Sequence, residues 1–169
     1  GILGSALACD KVKSKEIFKL NNIPTADYQV FYRSQRENLK REFDLPVVVK
    51  PSNQGSSIGI SIVREEKEWE IAMDLAFSYA EEVLMEKFIE GKLLAIGMNG
   101  EQPMSIVHIQ PKSGFYDYEA KYTPGKTDYH CPADLAEAET RRCREVAIQV
   151  ARALHARGFC RVDVILDEM

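Results

Sequence analysis

The stretch 47–63, VVVKPSNQGSSIGISIV, constrains the fold more than any other part of the chain. A β-branched run ends on Lys50. A polar loop carrying Ser52, Gly55, Ser56, Ser57 and Gly59 follows, and a second apolar run closes it. β-Branched residues suit a pleated, half-buried surface, so residues 47–49 and 58–63 are expected as two strands around the loop. Small residues let backbone N–H groups approach an anion closely, serine hydroxyls add donors, and Lys50 adds a point charge. The stretch is not the strand–GxxxxGK[ST]–helix phosphate loop. A flexible surface hairpin with a snorkelling lysine is the other reading, and these residues alone leave both open.

The remaining pattern places that hairpin in an α+β chain. A helix is expected over 5–20, capped by Ser5 and ended by Asn21, Asn22 and Pro24. A second, over 65–80, has Ala72, Ala76 and Ala80 on one stripe with Ile71, Leu75 and Tyr79 beside it. Strands are expected over 83–88, 93–98 and 105–109, the last two joined by a turn at Asn99-Gly100. Residues 111–132 read as a long polar and aromatic loop, and loops of that length are usually functional. A helix over 133–156 follows, with Cys143, Val146, Ala147, Val150 and Leu154 at helical spacing. Gly158 ends it, and 160–166 is a closing strand. Helices mixed with adjacent short strands argue for largely antiparallel sheets.

With 169 residues, 45% of them hydrophobic and 28% charged, the chain can bury a core in one domain or two small lobes. A net charge of −4 gives no reason to expect a nucleic-acid or membrane-surface partner. No apolar run approaches a membrane span and no signal peptide is recognisable, so a soluble cytoplasmic protein is expected. Cys9, Cys131, Cys143 and Cys160 form no C-x-x-C pair and fit no zinc spacing, and His108, His130 and His155 are scattered. Free thiols in a reducing compartment are expected, without a structural metal. The chain starts GILGSALACDK, without an initiator methionine, and stops at DVILDEM. Both ends read as cut from something longer.

Three further segments carry chemistry. In VLMEKFIEG an apolar strand ends on Glu86, Lys87 and Phe88, which can offer an adenine ring an apolar face and a polar edge. In isolation a solvated strand end explains it as well. Arg161 and Asp163, two apart on a strand, share a face roughly 6–7 Å apart. They are either a structural ion pair or an oxyanion clamp beside a magnesium ligand. SGFYDYEAKYTPGK packs three tyrosines and a phenylalanine among acids and lysines, an unusual load for a surface loop unless it closes over something.

Taken together, SALACDKVKSK, LPVVVKPSNQGSSIGISIV, EEVLMEKFIEG, GFYDYEAKY and GFCRVDVILDE resemble the D-alanine–D-alanine ligase family of the ATP-grasp superfamily. The resemblance implies two α+β lobes, 1–90 and 91–169, enclosing an ATP site, with 111–132 as a mobile loop. An N-terminal substrate domain and the C-terminal end are implied to be missing. It implies an ATP-dependent ligase in which ATP phosphorylates one D-alanine and the amine of a second attacks the acylphosphate. The product, D-alanyl-D-alanine, serves peptidoglycan synthesis and hence the cell wall and cell shape. Lys11 and Lys50 resemble the lysines on the ATP phosphates, and Ser56 and Ser57 lie in the loop covering them. Glu86, Lys87, Phe88 and Ile89 resemble the adenine-binding segment. Lys121 resembles the lysine that reaches the γ-phosphate, Tyr122 the tyrosine that latches onto Ser56, and Arg161 the oxyanion arginine. Asp163 resembles a ligand of Mg2+ or Mn2+. The EAKY loop resembles the dipeptide-forming ligases rather than those that make D-alanyl-D-lactate.

The chain also departs from the pattern. Leu93 stands where the family usually has the acid that holds the ribose, so either ribose binding is weakened or Glu90 substitutes. The family's glutamate-and-asparagine metal motif is not in this chain. A parent that dimerises through its N-terminal portion is implied, with this chain expected as a monomer, inactive alone. The alternatives are another ATP-grasp carboxylate–amine ligase and a nucleotide-binding piece without turnover.

Overall fold

The β-branched run that opens the hairpin becomes the centre of a sheet. In the computed structural model, which describes residues 1–167, Val47, Val49 and Val63 are completely buried. Glu168 of the closing motif and Met169 lie outside the described residues. The chain divides into two compact units, one of residues 9–12 and 26–88, the other of 1–8, 13–25 and 89 onward.

In the first of these units, β1 (Tyr28–Tyr32), β2 (Val47–Pro51), β3 (Ser61–Val63) and β4 (Glu82–Lys87) form an antiparallel sheet in the order β1-β4-β2-β3. The helix Glu66–Tyr79 covers one face. Its Glu68 carboxylate accepts the N–H groups of Arg64 and Glu65, satisfying donors that a helix start leaves open. It buries Trp69, Ala72, Met73, Ala76 and Phe77 against Phe31, Val49 and Met85. The alanine stripe at 72 and 76 is as expected, but its flank is not. Ile71, Leu75 and Tyr79 are exposed. Both flanks neighbour the alanines, and the one carrying Trp69, Met73 and Phe77 fills the sheet face with greater volume. The strand expected over 58–63 starts only at Ser61, because Ser56, Ser57 and Gly59 adopt left-handed backbone, with φ of 52°, 61° and 70°. The strand β1 and the 3-10 turn Arg33–Asn38 are additions to the expected pattern.

The second unit holds an antiparallel sheet in the order β7-β6-β5-β8, made of β5 (Gly91–Asn99), β6 (Gln102–Pro111), β7 (Thr127–His130) and β8 (Phe159–Asp167). The turn between β5 and β6 falls at Asn99-Gly100, as expected, with Gly100 at φ 60°. Leu94, Ile96, Met98, Ile106, Val162 and Leu166 pack against Cys143, Ala147 and Ala151 of the helix Glu137–Ala153. That helix starts at Glu137 rather than Ala133, since Ala133 donates its N–H to Ile106 O beside β6.

Further expectations need correction. The helix expected over 5–20 is two, Ile2–Cys9 and Lys11–Leu20. The N–H of Lys11 goes to Ser52 O (2.9 Å) instead of continuing the ladder, and the orphaned Leu7 carbonyl accepts from Ser14 Oγ (2.8 Å). Ser5 lies inside the first turn, donating to Gly1 O, and is not a cap. Residues 111–132 are not a structureless loop either. They contain the short helix Tyr118–Tyr122, capped by Asp117, and the strand β7. The division also differs from the expected lobes 1–90 and 91–169. It falls between Phe88 and Ile89, but most of the N-terminal helical segment groups with the second sheet. Gly4 shows why: a Cβ there would stand 2.8 Å from His155 O and 2.9 Å from Leu154 O, a close approach only glycine permits.

All four cysteines are free. Among the described residues, no helix is long and apolar enough to cross a membrane.

Candidate functional site

Each unit assembles its own cluster of the residues singled out above. In the unit of residues 26–88, the register pairs Val48 with Glu86 and Lys50 with Leu84, so Lys50 and Glu86 are diagonal neighbours on one sheet face. They form an ion pair, and both side chains are largely buried, 18% and 12% exposed. Lys11 joins them from far away in sequence. Its Nζ donates to Pro51 O (3.1 Å), Ser52 O (3.4 Å) and Gln54 O. Burial, and next the neighbouring Lys50 ammonium, push the Lys11 amine down to about 8, while Glu86 partly offsets them. Two ammonium groups that repel one another, with one carboxylate among them, leave net positive charge that favours a further anion.

The loop leading from that pair is strained in a useful way. Consecutive left-handed residues are rare for serine and cost on the order of 1–3 kcal/mol each. The turn is closed by Ile58 N–H to Gly55 O (3.0 Å). A side chain at Gly59 would be strained, because a Cβ would lie 2.8 Å from both Pro51 Cγ and Tyr79 Cδ2 at positive φ. The segment expected at an adenine edge is partly engaged within the unit. Glu86 holds Lys50, and the N–H groups of Lys87 and Phe88 donate to Asp27 O and Pro46 O. Phe88 offers a half-buried ring, with the Arg64 guanidinium 5.0 Å from its centroid. Ile89, half-buried, belongs to the other unit.

That other unit gathers Lys121, Arg161 and Asp163. On β8, Arg161 donates from Nε and Nη2 to the two carboxylate oxygens of Asp163 at 2.7 and 2.9 Å. The bidentate pair raises the arginine further. Opposite them on β5 stand Gly97 and Ala95, and the Met104 side chain lies against Gly97, where a Cβ would come 3.1 Å from its sulfur. Leu93, two residues before Ala95, pairs with Ile165 and Ile109, so the site of the usual acid lies in an apolar row, while Glu90 is exposed. Lys121 projects from the short helix toward the same charges. Burial lowers its amine, opposed chiefly by Asp163. Tyr122, mostly exposed, has its ring 4.7 Å from that of Tyr118.

Asp163, the single candidate metal ligand read from the sequence, is engaged by an arginine in this structure. Both its oxygens accept from Arg161, and no group of three or more His, Cys, Asp or Glu side chains converges anywhere among them. His108 and His130 are less scattered than their spacing suggests. They face each other across β6 and β7 with ring centroids 5.8 Å apart.

Sequence reasoning passed over Gln54, Arg64, Tyr116 and Tyr129. Gln54 contributes a backbone carbonyl, which any residue carries, so nothing in its identity signals the contact. Tyr116 and Tyr129 belong to the aromatic-rich segment already singled out, and only their meeting across it was hidden.

The two antiparallel-sheet units, with helices packed on them and a cationic cluster in each, have the architecture of the ATP-grasp class. Residues 17–169 match the family described as D-ala D-ala ligase C-terminus, and the chain belongs to that family. It is 41% identical to the D-alanine–D-alanine ligase of Geotalea uraniireducens (strain Rf4), over 99% of this chain and 54% of the relative. The D-alanine–D-alanine ligase of Bacillus anthracis superposes with TM-score 0.82 at 26% identity, over 99% of this chain and 56% of the other. The VanG D-Ala:D-Ser ligase of Enterococcus faecalis superposes with TM-score 0.80 at 31% identity, over 98% and 50%. The chain thus spans about half the length of the curated relatives it matches.

Proposed function

We propose that this chain carries the ATP-binding machinery of a D-alanine–D-alanine ligase, which makes the dipeptide for peptidoglycan in the cytoplasm. The observation that carries the reading is that Lys11 bonds the carbonyls of Pro51, Ser52 and Gln54, in the loop that leads from Lys50 into the left-handed Ser56–Ser57 turn. The triphosphate of ATP is the anion that offsets the repulsion between Lys11 and Lys50, and the turn's backbone donors and hydroxyls cover it. Phe88 gives the adenine an apolar face, with Glu86, Lys87 and Ile89 along the same segment. Lys121 and Arg161 supply the fixed positive charge that phosphoryl transfer and the tetrahedral oxyanion require, worth several kcal/mol of barrier in a water-excluded site. Asp163 contributes one carboxylate toward Mg2+ or Mn2+, with the other ligands coming from outside the described residues.

The test is titration calorimetry of the chain with a non-hydrolysable ATP analogue and Mg2+, with and without D-alanine. Saturable binding that Lys50→Ala weakens at least tenfold is expected. A folded chain that binds no analogue contradicts the reading. In a complete ligase containing this chain, Lys121→Ala is expected to lower turnover far more than it weakens D-alanine binding, and equal losses remove the phosphate role. The likeness to a D-Ala:D-Ser ligase favours one second reading, a different amine as acceptor. In a complete ligase containing this chain, with D-alanine supplied as the donor, formation of D-alanyl-D-serine in preference to D-alanyl-D-alanine selects it.

A further inference from the structure

The aromatic residues around Lys121 form a seat for it. The Lys121 ammonium lies 5.1 Å from the centroid of the Tyr116 ring, within cation–π range. The nearby Asp163 carboxylate is engaged bidentately by Arg161, and the Tyr116 ring is the face against which the lysine ammonium rests. The Tyr116 ring is itself fixed. Its hydroxyl lies 3.0 Å from that of Tyr129, and Tyr129 is held in β7 opposite Ile109. The intervening chain is tied at several points. Lys112 N–H donates to Lys126 O (2.9 Å), Asp117 accepts from Ala120 N–H (2.8 Å), and the buried Thr127 hydroxyl donates to Ala120 O (2.6 Å). Burial and the Tyr129 hydroxyl push the Tyr116 phenol up to about 12, so a neutral aromatic face persists across the working pH range.

From this geometry we propose that Tyr116, braced by Tyr129, is a positioning residue that pre-orients the Lys121 ammonium for an anionic group of the nucleotide. The proposal rests on the ATP reading of Lys121. A lysine has a long stem and no preferred direction of its own, and the ring removes that freedom before the ligand arrives.

Two measurements on the whole chain decide it. In a 1H–13C spectrum, the Lys121 ε-methylene, assigned by its loss in Lys121→Arg, is expected upfield of the other lysines through the ring current of Tyr116. Tyr116→Phe keeps that shift and Tyr116→Leu abolishes it. An unshifted signal in the unmodified chain overturns the seat. In calorimetry with the ATP analogue, Tyr116→Leu is expected to weaken binding about two- to tenfold. Tyr116→Phe recovers most of the loss, and in a Lys121→Met background Tyr116→Leu has no further effect. Equal losses in both backgrounds mean a merely structural tyrosine and overturn the positioning role. If the unmodified chain binds no analogue, the ATP reading fails and takes Lys121's purpose with it, while the spectrum still decides whether the seat exists.

Discussion

Both units place a carboxylate against a cation, but they do so in opposite settings. Lys50 and Glu86 sit on adjacent strands and are largely buried, with Lys11 pressed in from a helix start. Arg161 and Asp163 sit two apart on one strand and are about half exposed. In the first cluster water is largely excluded, so each charge depends on the others for its stability. In the second, solvent screens the pair and either partner can exchange it for another ligand. The buried cluster is therefore a fixed arrangement, and the exposed one a pair that can exchange partners.

That contrast can be broken by experiment. Glu86→Gln removes the carboxylate that Lys50 needs and leaves two lysines uncompensated. It is expected to destabilise its unit by about 2–3 kcal/mol. Denaturant unfolding followed by Trp69 fluorescence reads this directly, because the chain's one tryptophan lies in that unit's core. A loss under 1 kcal/mol would mean that the pair is not buried in any energetic sense. Gly59→Ala forces a Cβ against the Pro51 ring at positive φ, and about 1–2 kcal/mol of stability is expected to be lost in the same measurement.

The pH dependence of the buried cluster follows from Lys11. Its amine titrates near 8 in the folded chain and at 10.5 when unfolded. Below pH 8 it is charged in both states and the folded chain bears the burial penalty in full. Between 8 and 10.5 only the unfolded state keeps the proton, so this group's contribution to stability rises with pH. Anion binding runs the other way. Affinity for the ATP analogue is expected to be steady below pH 8 and to fall by up to about tenfold per pH unit above it, until the bound amine also titrates. A Lys11→Met chain is expected to lose that fall, and its persistence would assign it to another group. The smallest effect is expected in the exposed cluster. Asp163→Asn should change stability by no more than about 0.5 kcal/mol, against the larger loss for Glu86→Gln. Comparable losses for the two substitutions would erase the distinction.

Most residues of the two charged clusters stood out in the chain, because each sits in a local pattern. Lys50 ends a β-branched run, Ser56 and Ser57 lie between glycines, and Arg161 and Asp163 alternate with core valines. Such patterns report which face a residue occupies and which conformations its backbone tolerates. They do not report partners. Nothing in the spacing couples Lys50 to Glu86, thirty-six positions on (86 − 50), since that pairing depends on the β2–β4 register. Nor does it bring Tyr116 to Tyr129, which requires β7 to have joined the sheet edge.

The sequence by itself determined the antiparallel α+β class, the strands at the hairpin and at β8, and the identity of most charged groups in both clusters, because hydrophobic period and turn chemistry are local properties. Only the tertiary structure decided where the N-terminal helix breaks, which flank of Glu66–Tyr79 goes inside, and which acid meets which base. Those outcomes are set by competition. Lys11 gives up a helical hydrogen bond for Ser52, and Trp69, Met73 and Phe77 displace Ile71, Leu75 and Tyr79 from the core. A competition between contacts distant in sequence is resolved only when the chain has folded and the larger buried volume or the better hydrogen bond prevails.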